Sequence, residues 1–162
     1  MNASSAEHDD TLTRLEAENA IHRLLATYCH NLDDGKFTEN AVLLQHATME
    51  VLAEVAAGRD EIERFFESHV QRHGDETTRT WHTVSNVIVD VDPCGTRATS
   101  ASYFVVHQEL GGFPLQPICT GRYHDTFEKK DGHWRFSHRL LKPRLFGDLR
   151  FHAVGPIADS AS

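Results

Sequence analysis

The sequence predicts an α+β domain in which helices pack on one face of a curved antiparallel sheet. Apolar residues recur at helical spacing through the first part of the chain, β-branched and aromatic residues dominate beyond Thr80, and turn signals divide that later part into hairpins. Helices first and long hairpin strands afterwards is the order that stacks helices against one side of a sheet. The 162 residues amount to one domain with one core.

The first helix is expected over Thr13 to Leu32, where Ile21, Leu24, Leu25, Tyr28 and Leu32 form the apolar stripe and Thr13 with Glu16 suits a capping box. Asp33, Asp34 and Gly35 stop it, and Thr38 opens a short second helix through Val42 to Leu44. Met49 to Val55 reads as a strand. Gly58 and Asp60 then introduce a third helix carrying Ile62, Phe65, Phe66, His69 and Val70. Strands follow at Trp81 to Val91, Thr96 to Glu109, Ile118 to Lys129 and His133 to Leu141. Asp92-Pro93-Cys94-Gly95 and Lys130-Asp131-Gly132 mark hairpin turns, the latter with the Asp-Gly pair of a type I′ turn. The expected organisation is a flexible N-terminal tail over 1–10, one domain over 11–150 and a C-terminal tail over 151–162.

Charge and cysteine usage exclude several classes. Acidic residues outnumber Lys and Arg by 24 to 16, and a net charge of −8 repels a phosphate backbone, so no nucleic-acid partner is expected. Cys29, Cys94 and Cys119 are odd in number and far apart, which suits reduced cytoplasm better than a disulfide framework or thiolate zinc site. There is no signal-like N-terminus and no apolar run approaching the ~20 residues of a membrane span. The twelve histidines form no HxH or HExxH, and no GxGxxG or GxxxxGK[ST] occurs, so neither a metal nor a nucleotide, flavin or nicotinamide cofactor is expected.

Five segments in order, "LLATYCHNLDDGKF", "GRDEIERFF", "WHTVSNVIVDVD", "ATSASYFVV" and "GRYHDTFEKKDGHWRFSHRLL", resemble the SnoaL-like branch of the nuclear-transport-factor-2-like (NTF2-like) proteins and span about residues 12–143. That branch looks like the group of scytalone dehydratase, bile-acid 7α-dehydratase, hexachlorocyclohexane dehydrochlorinase, small polyketide cyclases and the β subunits of ring-hydroxylating dioxygenases. The resemblance implies an NTF2-like cone: about three N-terminal helices against a curved antiparallel or mixed sheet, enclosing an apolar cavity.

It also implies a catalytic centre. Tyr28, Asp33 and His82 stand where the dehydratases and the dehydrochlorinase place a polar group, an aspartate and a histidine. The chemistry suits those residue types, because an imidazole can remove a proton while a carboxylate on its other nitrogen fixes the tautomer and stabilises the imidazolium. Asp33 also fits a plain turn, and Tyr28 lies on the apolar stripe where a core tyrosine fits equally. His107 resembles the second cavity histidine of scytalone dehydratase if the face it shares with Ala101, Tyr103 and Val105 turns inward. Arg139 resembles a cavity arginine able to hold a leaving group, although Arg135 and Arg144 suit a basic edge as well. Phe65, Trp81, Asn86, Tyr103, Phe104 and Arg122 are the expected substrate-binding residues.

The expected function is a cofactor-independent lyase that dehydrates a hydrophobic cyclic or aromatic small molecule. Isomerisation or cyclisation by the same base is the alternative, and a non-catalytic dioxygenase β subunit or ligand-binding protein is the reading from another class. Val87, Val89 and Val91 are assigned to an outward apolar face, so a homo-oligomer, trimer or dimer, is expected.

Overall fold

The computed structural model describes residues 3–155. Its elements run α1 (Ala3–Asp33), α2 (Phe37–Leu43), β1 (Thr48–Val51), β2 (Glu54–Ala57), α3 (Gly58–His69), β3 (Thr80–Val91), β4 (Arg97–Leu110), β5 (Phe113–Lys130) and β6 (His133–Phe146). One six-stranded sheet has the order β2-β1-β6-β5-β4-β3. β1 lies parallel to β6 and every other neighbouring pair is antiparallel, so the sheet is mixed and unclosed. The three helices cover its concave side.

Burial follows the apolar pattern in α1, where Ala17, Ile21, Leu25, Tyr28 and Leu32 are buried at steps of three and four, with Cys29 beside Tyr28. The helix begins at Ala3 instead of Thr13, so the proposed capping box falls inside it and much of the supposed tail is helical. Met1 and Asn2, and 156–162 of the C-terminal tail, lie outside the described residues.

The expected strand at Met49 to Val55 is a hairpin, β1 and β2. Leu52 and Ala53 turn it with φ of 49° and 70°. At the β5–β6 turn Asp131 and Gly132 have φ of 51° and 81°, the two positive values a type I′ turn requires.

Irregularities in strand pairing decide which side chains meet the helices. The β3–β4 register shifts between Ser85 and Ile88, and Asn86 adopts φ 51° there. That bulge inverts the alternation. Val84, Val87, Val89 and Val91 consequently pack against the core, while Ile88 is 63% exposed on the outer face. The assignment of Val87, Val89 and Val91 to the outer face is therefore corrected. In β6 a shift opposite Thr126/Phe127 lets Phe136 and Arg139, an odd number of residues apart, both point into the core.

The C-terminal segment after β6 is not a tail at its start. It folds back across the sheet: Val70 bridges Ala153, Val154 N–H bonds the His69 carbonyl at 3.0 Å, and the buried Gln108 donates to the Phe151 carbonyl at 3.0 Å. Those bonds satisfy backbone groups that would otherwise be stranded against the core.

Candidate functional site

Asp33 ends α1, and β3 starts beside it because Thr78 ties the two together. The Thr78 hydroxyl donates to the Leu32 carbonyl at 3.1 Å, and its N–H reaches the Asp33 carbonyl at 3.3 Å. This brings the Asp33 carboxylate against three donors on β3. Oδ1 accepts from the Thr80 hydroxyl at 2.6 Å and from His82 Nδ1 at 2.5 Å, and Oδ2 accepts from the His82 backbone N–H at 2.9 Å.

Burial alone would raise the Asp33 pKa, but the bonds from His82 and Thr80 outweigh it and hold the carboxyl below its usual range. An ionised carboxylate only accepts, so Nδ1 of His82 carries the ring proton and Nε2 keeps its lone pair. The His82 side chain is 4% exposed and that of Asp33 18%.

His82 lines a cavity of about 660 Å³ between the helices and the sheet. Its walls are mostly apolar, with Leu32, Met49, Phe65, Phe66, Phe104 and Val106 among them. Phe104 stacks on Tyr123 with ring centroids 4.6 Å apart. A second, outer cleft of about 310 Å³ between α1 and β3 is lined by His22, Cys29, His30, Asp33, Trp81 and His82 among others. The imidazole borders both spaces, and the carboxylate borders the outer one.

Tyr28 and Tyr123 face the cavity over a buried cation. Arg139 is sealed beneath them, its guanidinium carbon 4.0 Å from the Tyr28 ring centroid and 3.9 Å from that of Tyr123, and its Nη1 donates to Asp125 Oδ2 at 3.1 Å. β5 pairs Asp125 directly with Arg139, which explains the contact. Burial pushes the Tyr28 phenol up to about 12 against the pull of Arg139, and pushes the Asp125 carboxyl up to about 6. Tyr28 is thus a protonated donor at neutral pH. Arg139 does not border the cavity, so it supports the tyrosines from below.

Several expected residues lie elsewhere. Alternation along β4 turns Ser102, Phe104, Val106 and Gln108 inward, which leaves His107 and Tyr103 on the opposite face of the sheet. His107 is therefore not a cavity group. Tyr103 is 42% exposed and bonds there to Arg122, whose Nη2 lies 3.2 Å from the phenol oxygen. Trp81 is 69% exposed, and Asn86 occupies the exposed bulge of β3. Trp81, Asn86, Tyr103 and Arg122 are thus corrected as cavity-lining residues, whereas Phe65 and Phe104 do line it. Sequence reasoning missed Asp125, Tyr123 and His152. Asp125 and Tyr123 alternate on β5 with Gly121 and Phe127, a pattern that was open to reading, while His152 lies in a segment without periodicity.

Among the described residues no cluster of His, Cys, Asp and Glu has the arrangement of a metal site, and no helix is long and apolar enough to cross a membrane. No curated protein matches the chain. Solved structures do. A Novosphingobium aromaticivorans protein provisionally named a scytalone dehydratase is 26% identical, with a TM-score of 0.70 over 93% of this chain and 99% of its own. An NTF2-like protein with a cystatin-like fold from the same organism is 19% identical, with a TM-score of 0.69 over 86% of this chain and 88% of its own. The β subunit of an aromatic-ring-hydroxylating dioxygenase, also so named provisionally and from that organism, gives 14% and 0.67 over 86% of this chain and 97% of its own. The last two likenesses speak for the fold alone. The SnoaL-like domain profile matches residues 13–140, most of the chain, and the protein belongs to the SnoaL-like family.

Proposed function

We propose that the protein is a cofactor-independent lyase that removes water from a hydrophobic cyclic or aromatic small molecule, with His82 as its base. The observation that carries this reading is the 2.5 Å contact between His82 Nδ1 and Asp33 on the wall of an apolar cavity. The provisional name of the 26%-identical relative points the same way.

In the reaction, Nε2 of His82 takes a proton from a carbon beside a carbonyl, and the C–H electron pair moves into an enolate. Asp33 stabilises the imidazolium so formed. The enolate then expels the β-hydroxyl, forming the C=C bond, and the departing oxygen takes the proton held on His82 and leaves as water. Tyr28, protonated at neutral pH, donates a hydrogen bond to the carbonyl or the leaving oxygen. Isomerisation is the second reading, since the same enolate reprotonated at another carbon gives a shifted double bond. It rests on the same imidazole.

The test is turnover of β-hydroxy cyclic ketones by purified protein in EDTA without added cofactor, followed by enone absorbance. His82→Ala and Asp33→Ala should each lower kcat by at least ~10²-fold, the scale of general acid–base catalysis. Because the two act as a unit, the double variant should lose little more than the worse single one. Wild-type turnover by His82→Ala would place the base elsewhere, and loss of activity in EDTA would overturn the cofactor-independent reading.

A further inference from the structure

His152 is a polar group of the cavity wall that the scheme above does not use, as are Glu54, His69 and Tyr123. It stands on the C-terminal segment, which is fastened before and after it. Its own carbonyl accepts from Gln71 N–H at 2.8 Å, its N–H bonds the Leu149 carbonyl at 2.9 Å, and Gln71 Nε2 reaches the Ala153 carbonyl at 2.5 Å. The ring therefore sits on an anchored segment, facing the same space as His82.

Its two nitrogens differ. Nδ1 is sealed from solvent with no hydrogen-bond partner among the described residues, and Nε2 is not such a sealed and unpartnered atom. A buried N–H without an acceptor is rarer than a buried acceptor without a donor. The favoured tautomer therefore leaves the lone pair on Nδ1 and the proton on Nε2. His82 has the reverse arrangement, because Asp33 holds its proton on Nδ1. One cavity thus presents an imidazole that accepts and an imidazole that donates.

We propose that His152 is the substrate-anchoring donor of this site, its Nε2–H bonding the carbonyl oxygen whose negative charge grows as His82 removes the neighbouring proton. The proposal rests on His82 acting as base. It defines the substrate class further: an apolar ring system carrying an oxygen acceptor beside an acidic C–H. Burial first, then the nearby His82 and, less strongly, His73, push the His152 pKa down to about 4 against the opposing charge of Asp33, so the ring remains a neutral donor at working pH. A neutral donor suits an enolate that must go on to expel a leaving group, since it stabilises the oxygen without protonating it.

Two aromatic probes of equal footprint test the anchor: 2-naphthol, which carries an oxygen acceptor, and naphthalene, which does not. His152→Phe should weaken 2-naphthol about fivefold, the value of one neutral hydrogen bond, and leave naphthalene unchanged. His152→Gln, whose amide nitrogen stands near the place of Nε2, should restore most of the loss. Nitrogen-15 NMR, with the His152 signals assigned by their absence in both variants, should show an Nε2–H tautomer and no protonation at pH 6. Equal weakening of both probes would overturn the proposal and leave His152 as wall only, with the His82 base untouched. An Nδ1–H tautomer or a charged ring at pH 6 would overturn it too, and that measurement needs no folded Phe variant. If the probes discriminate as expected while His82→Ala keeps full turnover, the His152 hydrogen bond to the oxygen stands, and its role opposite a His82 base falls with the lyase scheme.

Discussion

Asp125 and Arg139 form an ion pair with both side chains fully buried, and three of their polar atoms, Asp125 Oδ1 and Arg139 Nε and Nη2, lack a well-formed hydrogen bond among the described residues, although the guanidinium lies against the Tyr28 and Tyr123 rings. Such a pair is costly to break because either partner left alone is an uncompensated buried charge. Asp125→Asn should therefore destabilise the fold by about 3–5 kcal/mol in urea denaturation, and adding Arg139→Met should recover part of the loss. A stable Asp125→Asn would show that the cation is balanced by the tyrosine rings instead. Tyr28→Phe should fold normally and reduce turnover less than His82→Ala, since it removes one donor and leaves the base in place. At this scale the sequence was informative where the resemblance to the SnoaL-like branch reached: Asp33 and His82 stood out by their positions in that pattern, and the fold brings the two side chains together. The inward place of Asp125 was open to reading from the alternation of β5, but its pairing with Arg139 was not, because the cross-strand register that sets them opposite each other is not written in either strand alone.

The strands beyond Thr80 were legible in place, although β5 begins at Phe113 and β6 runs on to Phe146, and they were less legible in face. A period of two predicts sides correctly only until an extra residue enters, and the bulge at Asn86 and the register shift in β6 each reverse it. The inward assignment of His107 failed for a simpler reason, an inverted choice between two equally alternating faces. Glycine at 121 shows how closely β5 is packed. A Cβ there would lie 2.3 Å from the Lys142 carbonyl oxygen and 2.7 Å from the Phe104 ring. Gly121→Ala should cost about 1–3 kcal/mol by overpacking and shift Phe104 off Tyr123, detectable as a lower Tm with an altered near-ultraviolet dichroism. An unchanged Tm would mean that the strands yield more readily than their spacing suggests.

For the whole molecule, acid stability is governed by opposing groups. His152 has a folded pKa of about 4, below its value of about 6.5 in an unfolded chain, so its contribution is present above pH 6.5 and is lost as pH falls through 4. Asp125, raised to about 6, acts in the other sense and favours the fold most below the ordinary carboxylate range. Comparing wild type with His152→Phe isolates the first effect, and the variant should show the shallower loss of unfolding free energy between pH 6.5 and 4. Parallel curves would show that His152 stays accessible to protons in the native state. A homo-oligomer remains the expected assembly, now on the evidence of Trp81 and Ile88 on the outer sheet face, and light scattering that returned 18.3 kDa would contradict it. The global order of helices and hairpins was legible because it is written in periodicity and turn residues. The fold-back of the C-terminal segment was not, because its bonds run to Val70, Gln71 and Gln108, far away in the chain.

The outer cleft gives the pair at His82 an unusual position. Asp33 borders that cleft and not the large cavity, and His82 is the wall between them. Water reaching the carboxylate from outside does not have to pass the ligand. Solvent contact with Asp33 is therefore independent of what fills the interior, so the partner that steadies the imidazole is hydrated from outside while the imidazole works within.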